Sequence, residues 1–281
     1  MTQRIYDPHV HFFAYSKGNY FWLKQDGEPF WPQKTLIRKD FNRADLKLGP
    51  DFILEGVVHI EAGFDNRDPV RETQWLQSQG FKDSAISYVA IDLPHQHFAK
   101  ALDKADSAIL RGIRDITEGD DAERLLDSNV DDNLALLSAK GLIWEAQFDV
   151  SDERLCNGVV DYAHNHPNLI IVINHAGLPT RANWLQWQKN IALLAANRNV
   201  FIKCSGWEIL QPDAGMAWKK QVISFAISVF SSKRVMLASN FPLCLFASSY
   251  AELWQDYAQL NLPDFDNLAF ANAARLYAIH P

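Results

Sequence analysis

Residues 169–179 read LIIVINHAGLP, and the prediction of the fold starts from this stretch. Leu169–His175 is a short run of apolar and β-branched residues, which is typical of a strand buried on both faces. His175 ends the run, just after its apolar part. A parallel barrel exposes its functional side chains at this point, the carboxyl end of a strand. The stretch therefore predicts a buried parallel strand with His175 at its functional end.

Similar segments recur along the chain and alternate with longer amphipathic ones. The other predicted strands are Arg4–His11, Phe52–Glu61, Ala85–Ile91, Ala108–Asp115, Leu142–Val150, Val200–Ser205 and Val235–Ser239. The predicted helices are Pro69–Gln79, Gln96–Ala105, Ala122–Lys140, Ser151–Asn165, Ala182–Asn197, Met216–Phe230 and Tyr250–Gln259. Eight strands alternating with helices indicate an α/β protein made of parallel β–α units.

The same periodicity is compatible with a doubly wound open sheet. That alternative is disfavoured because the chain has no glycine-rich phosphate loop. The 281 residues suit one barrel, and no change of composition marks a linker. We therefore predict a single (β/α)8 TIM barrel that forms one domain over residues 1–281.

Composition limits the classes of function. The formal charge is −7 and no basic stretch is present, which argues against nucleic-acid binding. The N-terminal sequence has no apolar signal segment, and no apolar run is long enough to span a bilayer. The three cysteines, Cys156, Cys204 and Cys244, are widely spaced and form no disulfide or metal pattern. We expect a cytoplasmic protein without a membrane partner.

One connection is unusually long. Residues 12–50 follow the first strand and are rich in aromatic side chains, including Trp22 and Trp31, with little helical or strand period. Loops of this length in compact domains are often functional, and aromatic side chains favour order. We interpret the segment as a lid over the strand ends, with structural packing as the alternative.

Two histidines end the first strand. His9 and His11 are two residues apart in YDPHVHFF, so both side chains are predicted to point to one face, with Asp7 deeper on that face. Such a pair can bind a metal, hold an anion or donate to a developing oxyanion, whereas the structural alternative is a pair of hydrogen-bonded core histidines. Histidines 95, 97, 164, 166 and 280 lie in helices or loops and receive a structural interpretation.

Further polar residues are predicted near the strand ends. His59 and Glu61 in VVHIEAG are predicted to share one face, and Glu61 is either functional or paired. Arg111 and Arg114 in ILRGIRD lie on opposite faces by parity, so one of them can reach the barrel mouth and bind a carboxylate or lactone oxygen.

Several motifs in order resemble one family across nearly the whole chain. They are DPHVHFF, KGNYFWL, RKDFNRADL, HIEAG, RGIRD, NHAGLP, IKCSGW, ASNFPLC and NAARLYAI. Together they resemble the amidohydrolase-related TIM-barrel hydrolases of the amidohydrolase 2 type. Within that family they are most similar to sugar-acid lactonases that act on fuconolactone or rhamnonolactone.

The resemblance implies roles for individual positions. It aligns His9, His11 and His175 with the family's site histidines and Arg114 with its substrate-binding arginine. It implies one divalent metal, such as zinc, on His9, His11 and His175. Some lactonase relatives are thought to work without metal, and Gln147 and Asp149 lie where metal-dependent members often have a histidine.

Asn240 aligns with the aspartate that acts as general base in the family. A neutral amide cannot accept a proton from water. Three explanations stay open: an engineered change, a natural loss of hydrolysis, or transfer of the base role to Glu61 or a histidine.

The main hypothesis is a hydrolase that opens a small sugar-acid lactone. Its predicted catalytic residues are His9, His11, His175, Asn240 and Glu61, and its predicted substrate-binding residues are Arg114, Trp22 and Trp31. The expected partner is a small lactone or the related acid, and the assembly to test is a homodimer. The alternatives are a catalytically silent ligand-binding relative and a metal-dependent decarboxylase of the same superfamily.

Overall fold

The computed structural model describes residues 2–24, 29–213 and 215–279, and it confirms the predicted barrel. All strands pair in parallel with their sequence neighbours, in the order β1 to β8. They are β1 (Gln3–Val10), β2 (Phe52–Ile60), β3 (Ser84–Tyr88), β4 (Leu110–Ile116), β5 (Ile143–Gln147), β6 (Ile171–Ile173), β7 (Val200–Cys204) and β8 (Val235–Leu237).

Helices alternate with the strands, and the last of them carries Tyr277 into the barrel interior. They are α1 (Phe21–Lys24), α2 (Val70–Ser78), α3 (His95–Ala105), α4 (Val130–Lys140), α5 (Glu153–Asn165), α6 (Trp184–Ala195), α7 (Trp207–Leu210), α8 (Met216–Phe230), α9 (Tyr250–Gln259) and α10 (Asn272–Tyr277). No helix in the described part of the chain combines the length and apolarity needed to cross a membrane.

The predicted helix Ala122–Lys140 is wrong in its first part. Gly119–Leu126 is a 3₁₀ segment, and α4 begins only at Val130. The Asp127 carboxylate accepts a hydrogen bond from the backbone N–H of Asn129 at 2.8 Å. This local side-chain bond competes with helix formation and separates the two segments.

The barrel closes where the predicted site lies. The backbone N–H of Asn240 donates to the His9 carbonyl at 3.0 Å, and that of His11 donates to the Phe241 carbonyl at 2.6 Å. The segment after β8 therefore continues the sheet onto the end of β1. Because these bonds fix both backbones, His9, His11 and Asn240 are held together by the closure of the fold.

The inside of the barrel is packed below the site. Apolar residues of the strands, including Val58, Val172 and Met236, cluster there with Tyr277 of α10. Above them lies a fully buried ion pair, in which Lys203 Nζ donates to Glu145 Oε1 at 2.5 Å. A larger apolar layer fills the space between strands and helices. The interior is thus a packed core up to the level of the strand ends.

Candidate functional site

A cavity of about 860 Å³ opens at the carboxyl ends of the strands. Residues from the predicted site line it: His11, Trp22, Trp31, Glu61, Arg114, His175 and Asn240. His9 is fully buried directly beside the cavity, with its ring centre 4.6 Å from that of His175 and 5.0 Å from that of His11. The structure therefore brings the predicted site residues together in one place; their chemical roles stay predictions.

His11 directs an unprotonated ring nitrogen, Nε2, towards Asn240. Its Nδ1 lies 2.9 Å from the carbonyl oxygen of Ile60. A carbonyl only accepts, so Nδ1 carries the proton and Nε2 is an acceptor. Burial and the nearby Arg114 cation lower the pKa of His11 well below its ordinary value, so the ring is neutral at neutral pH.

His175 differs from His11 because its free ring nitrogen is a hydrogen-bond donor. Its Nδ1 lies 2.9 Å from the buried Ser205 hydroxyl, which finds no other acceptor in the described part of the chain. Ser205 therefore donates to Nδ1, and the proton of His175 is on Nε2. Burial lowers the pKa of His175 to about 3. His175 is thus a neutral ring that can act as a hydrogen-bond donor through Nε2.

The backbone around His175 is unusual. His175, Ala176 and Leu178 all have φ values between 49° and 61°, in the left-handed region. A side chain at Gly206, which has a φ of 76°, would place its Cβ 2.8 Å from His175 Nδ1. Glycine at position 206 therefore leaves the space that the His175 ring occupies.

Arg114 reaches inwards, as parity predicts for one of the two arginines. Its Nε donates to Glu61 Oε1 at 2.8 Å and its Nη1 to Gln147 Oε1 at 3.0 Å. Gln147 in turn donates from Nε2 to Glu118 at 2.8 Å. Nη1 also lies 3.5 Å from His9 Nε2, and His9 Nδ1 has no hydrogen-bond partner in the described part of the chain. Glu61 is therefore paired and oriented by a cation.

Asn240 is held from the side opposite the cavity. Its Nδ2 donates to Glu208 Oε1 at 2.6 Å, while its Oδ1 lies 3.3 Å from His11 Nε2. Glu208 belongs to α7, directly after β7, and only 7% of it is exposed. Burial raises the pKa of Glu208 to about 7.

The prediction that His59 and Glu61 share a face is wrong. His59 Nε2 donates to Glu72 of α2 at 2.9 Å, on the helix side of the barrel, whereas Glu61 lines the cavity. The regular alternation ends because β2 stops at Ile60. Among the histidines given a structural interpretation, His95 bonds to Asn133 and His166 to Asp131, away from the cavity, and His280 lies outside the described residues.

Barrel proteins that bind their ligand at the carboxyl ends of the strands carry polar side chains there. This chain has such a polar cluster, so it belongs to that class of barrel proteins. The chain belongs to the amidohydrolase family, because the family model described as amidohydrolase matches residues 6–279.

Three similar proteins illustrate the range of the family. The chain is 26% identical to an uncharacterised protein of Sinorhizobium fredii, over 98% of both chains. It is 25% identical to L-fucono-1,5-lactonase of Burkholderia multivorans, over 97% of this chain and 95% of the lactonase. A crystal structure of an amidohydrolase from Burkholderia multivorans with bound zinc superimposes with a TM-score of 0.76 at 20% identity, covering 97% and 98% of the two chains.

Family members commonly bind a divalent metal. Within residues 2–24, 29–213 and 215–279, no three His, Cys, Asp or Glu side chains are arranged to hold an ion. His175 has its Nε2 protonated, and His9 directs Nε2 at the Arg114 guanidinium. His11 Nε2 and the oxygen of the neutral Asn240 amide lie 3.3 Å apart at the cavity and give two lone-pair donors, one fewer than the predicted set. The predicted set of three histidines therefore does not fit a metal in this arrangement.

Sequence reasoning missed three polar residues at the site. Ser205 orients His175, Glu208 holds Asn240, and Glu118 bonds to Gln147 at the cavity wall. Ser205 follows β7 directly and Glu208 lies in α7, the next element, and their position after a strand was the available signal.

Proposed function

We propose that this protein hydrolyses a small, uncharged, hydroxylated sugar-acid lactone. One observation carries the proposal: a neutral donor and two acceptors line the same cavity. His175 Nε2–H is the donor, and His11 Nε2 and Asn240 Oδ1 are the acceptors 3.3 Å apart. The resemblance to a lactonase over nearly the whole chain supports the same activity.

The reaction needs only groups of this chain. His175 donates a hydrogen bond to the carbonyl oxygen of the lactone, where negative charge develops. The attacking water donates to Asn240 Oδ1 and to His11 Nε2. Its oxygen bonds to the carbonyl carbon as one proton passes to His11 Nε2. The bond between that carbon and the ring oxygen then breaks, and the ring oxygen takes the proton from His11.

The charges around the cavity support an uncharged substrate. Arg114 is paired with Glu61, and Arg124 bonds to Asp92 and Asp115. Glu118 and Asp121 add two further carboxylates to the lining. A dianionic substrate would meet two cations that are already neutralised and additional negative charge.

The aromatic residues of the 12–50 segment form the outer wall. Trp22 donates from Nε1 to the Ala62 carbonyl at 2.8 Å, which fixes its ring, and Trp31 packs edge-on against it with ring centres 5.9 Å apart. We propose that these rings stack on the carbon face of a sugar and that the segment acts as a lid. A single domain over residues 1–281 and a cytoplasmic location also stay proposals.

A ligand-binding protein without turnover is the second candidate. Asn240 favours it, because an amide stands where the family's base is expected. The two candidates differ in whether His11 can serve as the base.

A pH-indicator assay with a panel of aldonolactones tests the proposal. We expect the wild type to release acid from neutral 1,5- and 1,4-aldonolactones, and His175→Ala to be about 100- to 1,000-fold slower, as when one oxyanion donor is removed. His166→Ala is the matched control, since His166 is a partly buried histidine that bonds to Asp131 away from the cavity. Saturable binding of a lactone without acid release would support the second candidate. Faster hydrolysis of dicarboxylated lactones than of neutral ones would contradict the proposed substrate.

A further inference from the structure

The carboxylate closest to Asn240 lies behind the amide, on the side away from the cavity. Glu208 does not line the cavity, whereas Asn240 does. The two side chains are buried and joined by the 2.6 Å bond from Asn240 Nδ2 to Glu208 Oε1. The family's aspartate would carry its charge at position 240. In this chain the negative charge is carried by Glu208, which lies behind Asn240 as seen from the cavity.

The orientation of Asn240 has a chemical consequence. An ionised carboxylate accepts only, so it must face the NH₂ group of the amide, which turns Oδ1 towards His11. His11 Nε2 is itself an acceptor because Nδ1 donates to Ile60. The carboxylate thereby forces two acceptors to face one another at 3.3 Å. Such a pair suits a molecule with two protons to donate, such as water.

We propose that Glu208 is a positioning residue, whose carboxylate holds the Asn240 amide with its oxygen towards His11 and so creates the two-acceptor site for the attacking water. The inference rests on the proposed function for the identity of the water. The orientation itself can be tested without turnover.

Protonation of Glu208 permits the opposite arrangement. The carboxylic acid can donate to Asn240 Oδ1, and the flipped amide can then donate from Nδ2 to His11 Nε2. In that state the acceptor of His11 is blocked. The groups that act on Glu208 besides Asn240 are Lys219 of α8, Cys244 and Tyr257. The pKa of Glu208, raised by burial to about 7, places the change near neutral pH.

Side-chain NMR of asparagine-labelled protein tests the orientation. We expect the Asn240 NH₂ protons to be shifted downfield, protected from exchange, and to titrate with a midpoint near pH 7. In Glu208→Gln the titration should disappear, and in Glu208→Asp it should persist. Glu118→Gln is the matched control, because it removes the carboxylate of the Gln147 pair and should leave the Asn240 signals unchanged. Asn240 signals that do not titrate in the wild type, or that titrate alike in Glu208→Gln, overturn the proposal.

Kinetics provide the second measurement. We expect Glu208→Gln to lower kcat about 10- to 100-fold with KM within about threefold, as supporting residues do, and to remove the inflection near pH 7. The double variant Asn240→Asp with Glu208→Gln moves the carboxylate to the family's position and should recover activity above that of Glu208→Gln. If the wild type hydrolyses no lactone, the proposed function fails, and the NMR titration still decides the role of Glu208. An unchanged kcat and pH profile in Glu208→Gln would overturn the role in catalysis.

Discussion

The site contains two pairs of a carboxylate and a carboxamide on opposite sides of the cavity. Glu118 accepts from Gln147 at 2.8 Å, and Glu208 accepts from Asn240 at 2.6 Å. In both pairs the carboxylate fixes which end of the amide faces the site. The pairs differ in what the amide oxygen meets: Gln147 Oε1 accepts from Arg114, whereas Asn240 Oδ1 faces the bare nitrogen of His11.

This difference in what the amide oxygen meets makes the Gln147 pair a supporting network and the Asn240 pair a reactive one. The chain from Glu118 through Gln147 to Arg114 alternates acceptors and donors, so each member stabilises the next. The chain from Glu208 through Asn240 ends in two acceptors that repel one another until a donor joins them. The same two chemical groups therefore hold Arg114 in place on one side and prepare a binding position on the other.

Removal of His11 should have the largest effect on catalysis. His11→Ala deletes the acceptor that distinguishes the Asn240 pair, and we expect kcat for lactone hydrolysis to fall about 100- to 10,000-fold, as for loss of a general base. Circular dichroism and thermal unfolding of the variant show whether the barrel is intact. A variant that changes only KM would mean that His11 binds the substrate and that the base lies elsewhere.

Removal of Arg114 disrupts the supporting network of Glu118, Gln147 and Arg114. Arg114→Met leaves the buried Glu61 charge without its partner, and we expect the free energy of unfolding to fall by about 3–5 kcal/mol. Chemical denaturation of the purified variant measures the loss. The double variant Arg114→Met with Glu61→Gln removes both charges and should regain most of the stability. Equal losses in the single and double variants would show that packing, and not the unpaired charge, is responsible.

The sequence predicts the fold well because the fold depends on repeated patterns. The strand around His175 and its counterparts each carry the apolar run of a buried parallel strand, and their number and alternation with helices determine the barrel. The break before α4 could not be predicted from helical period, since it depends on one side-chain bond of Asp127.

The sequence identifies a site residue only when the strand that carries it directs its side chain inwards. His9, His11, Arg114 and His175 lie within or just after strands, and all four reach the site. Glu208 depends instead on how α7 packs beside the segment after β8, which is a contact between residues 32 positions apart. His59 shows the converse, because the alternation that would pair it with Glu61 does not extend past the strand end.

The two carboxylates should also differ in how they change stability with pH. The pKa of Glu208 is raised to about 7 in the folded protein from about 4.5 in the unfolded chain. The folded state therefore binds the proton more tightly, so this contribution to stability is fully present below pH 4.5 and is lost as the pH rises through 7. The three site histidines act in the opposite sense: their lowered pKa values give a contribution that is present above pH 6.5 and is lost as the pH falls.

Glu208→Gln isolates the first contribution. Relative to the wild type, its free energy of unfolding should rise by about 3 kcal/mol between pH 4 and pH 8, because only the wild type carries the Glu208 contribution that is lost over that range. Denaturation curves at several pH values measure the difference. Glu118 is more exposed, and burial raises its pKa as well, so Glu118→Gln should show a smaller change of the same sign. Equal slopes in the two variants would mean that both carboxylates are held alike, and that the Asn240 pair differs from the Gln147 pair only in what its oxygen faces.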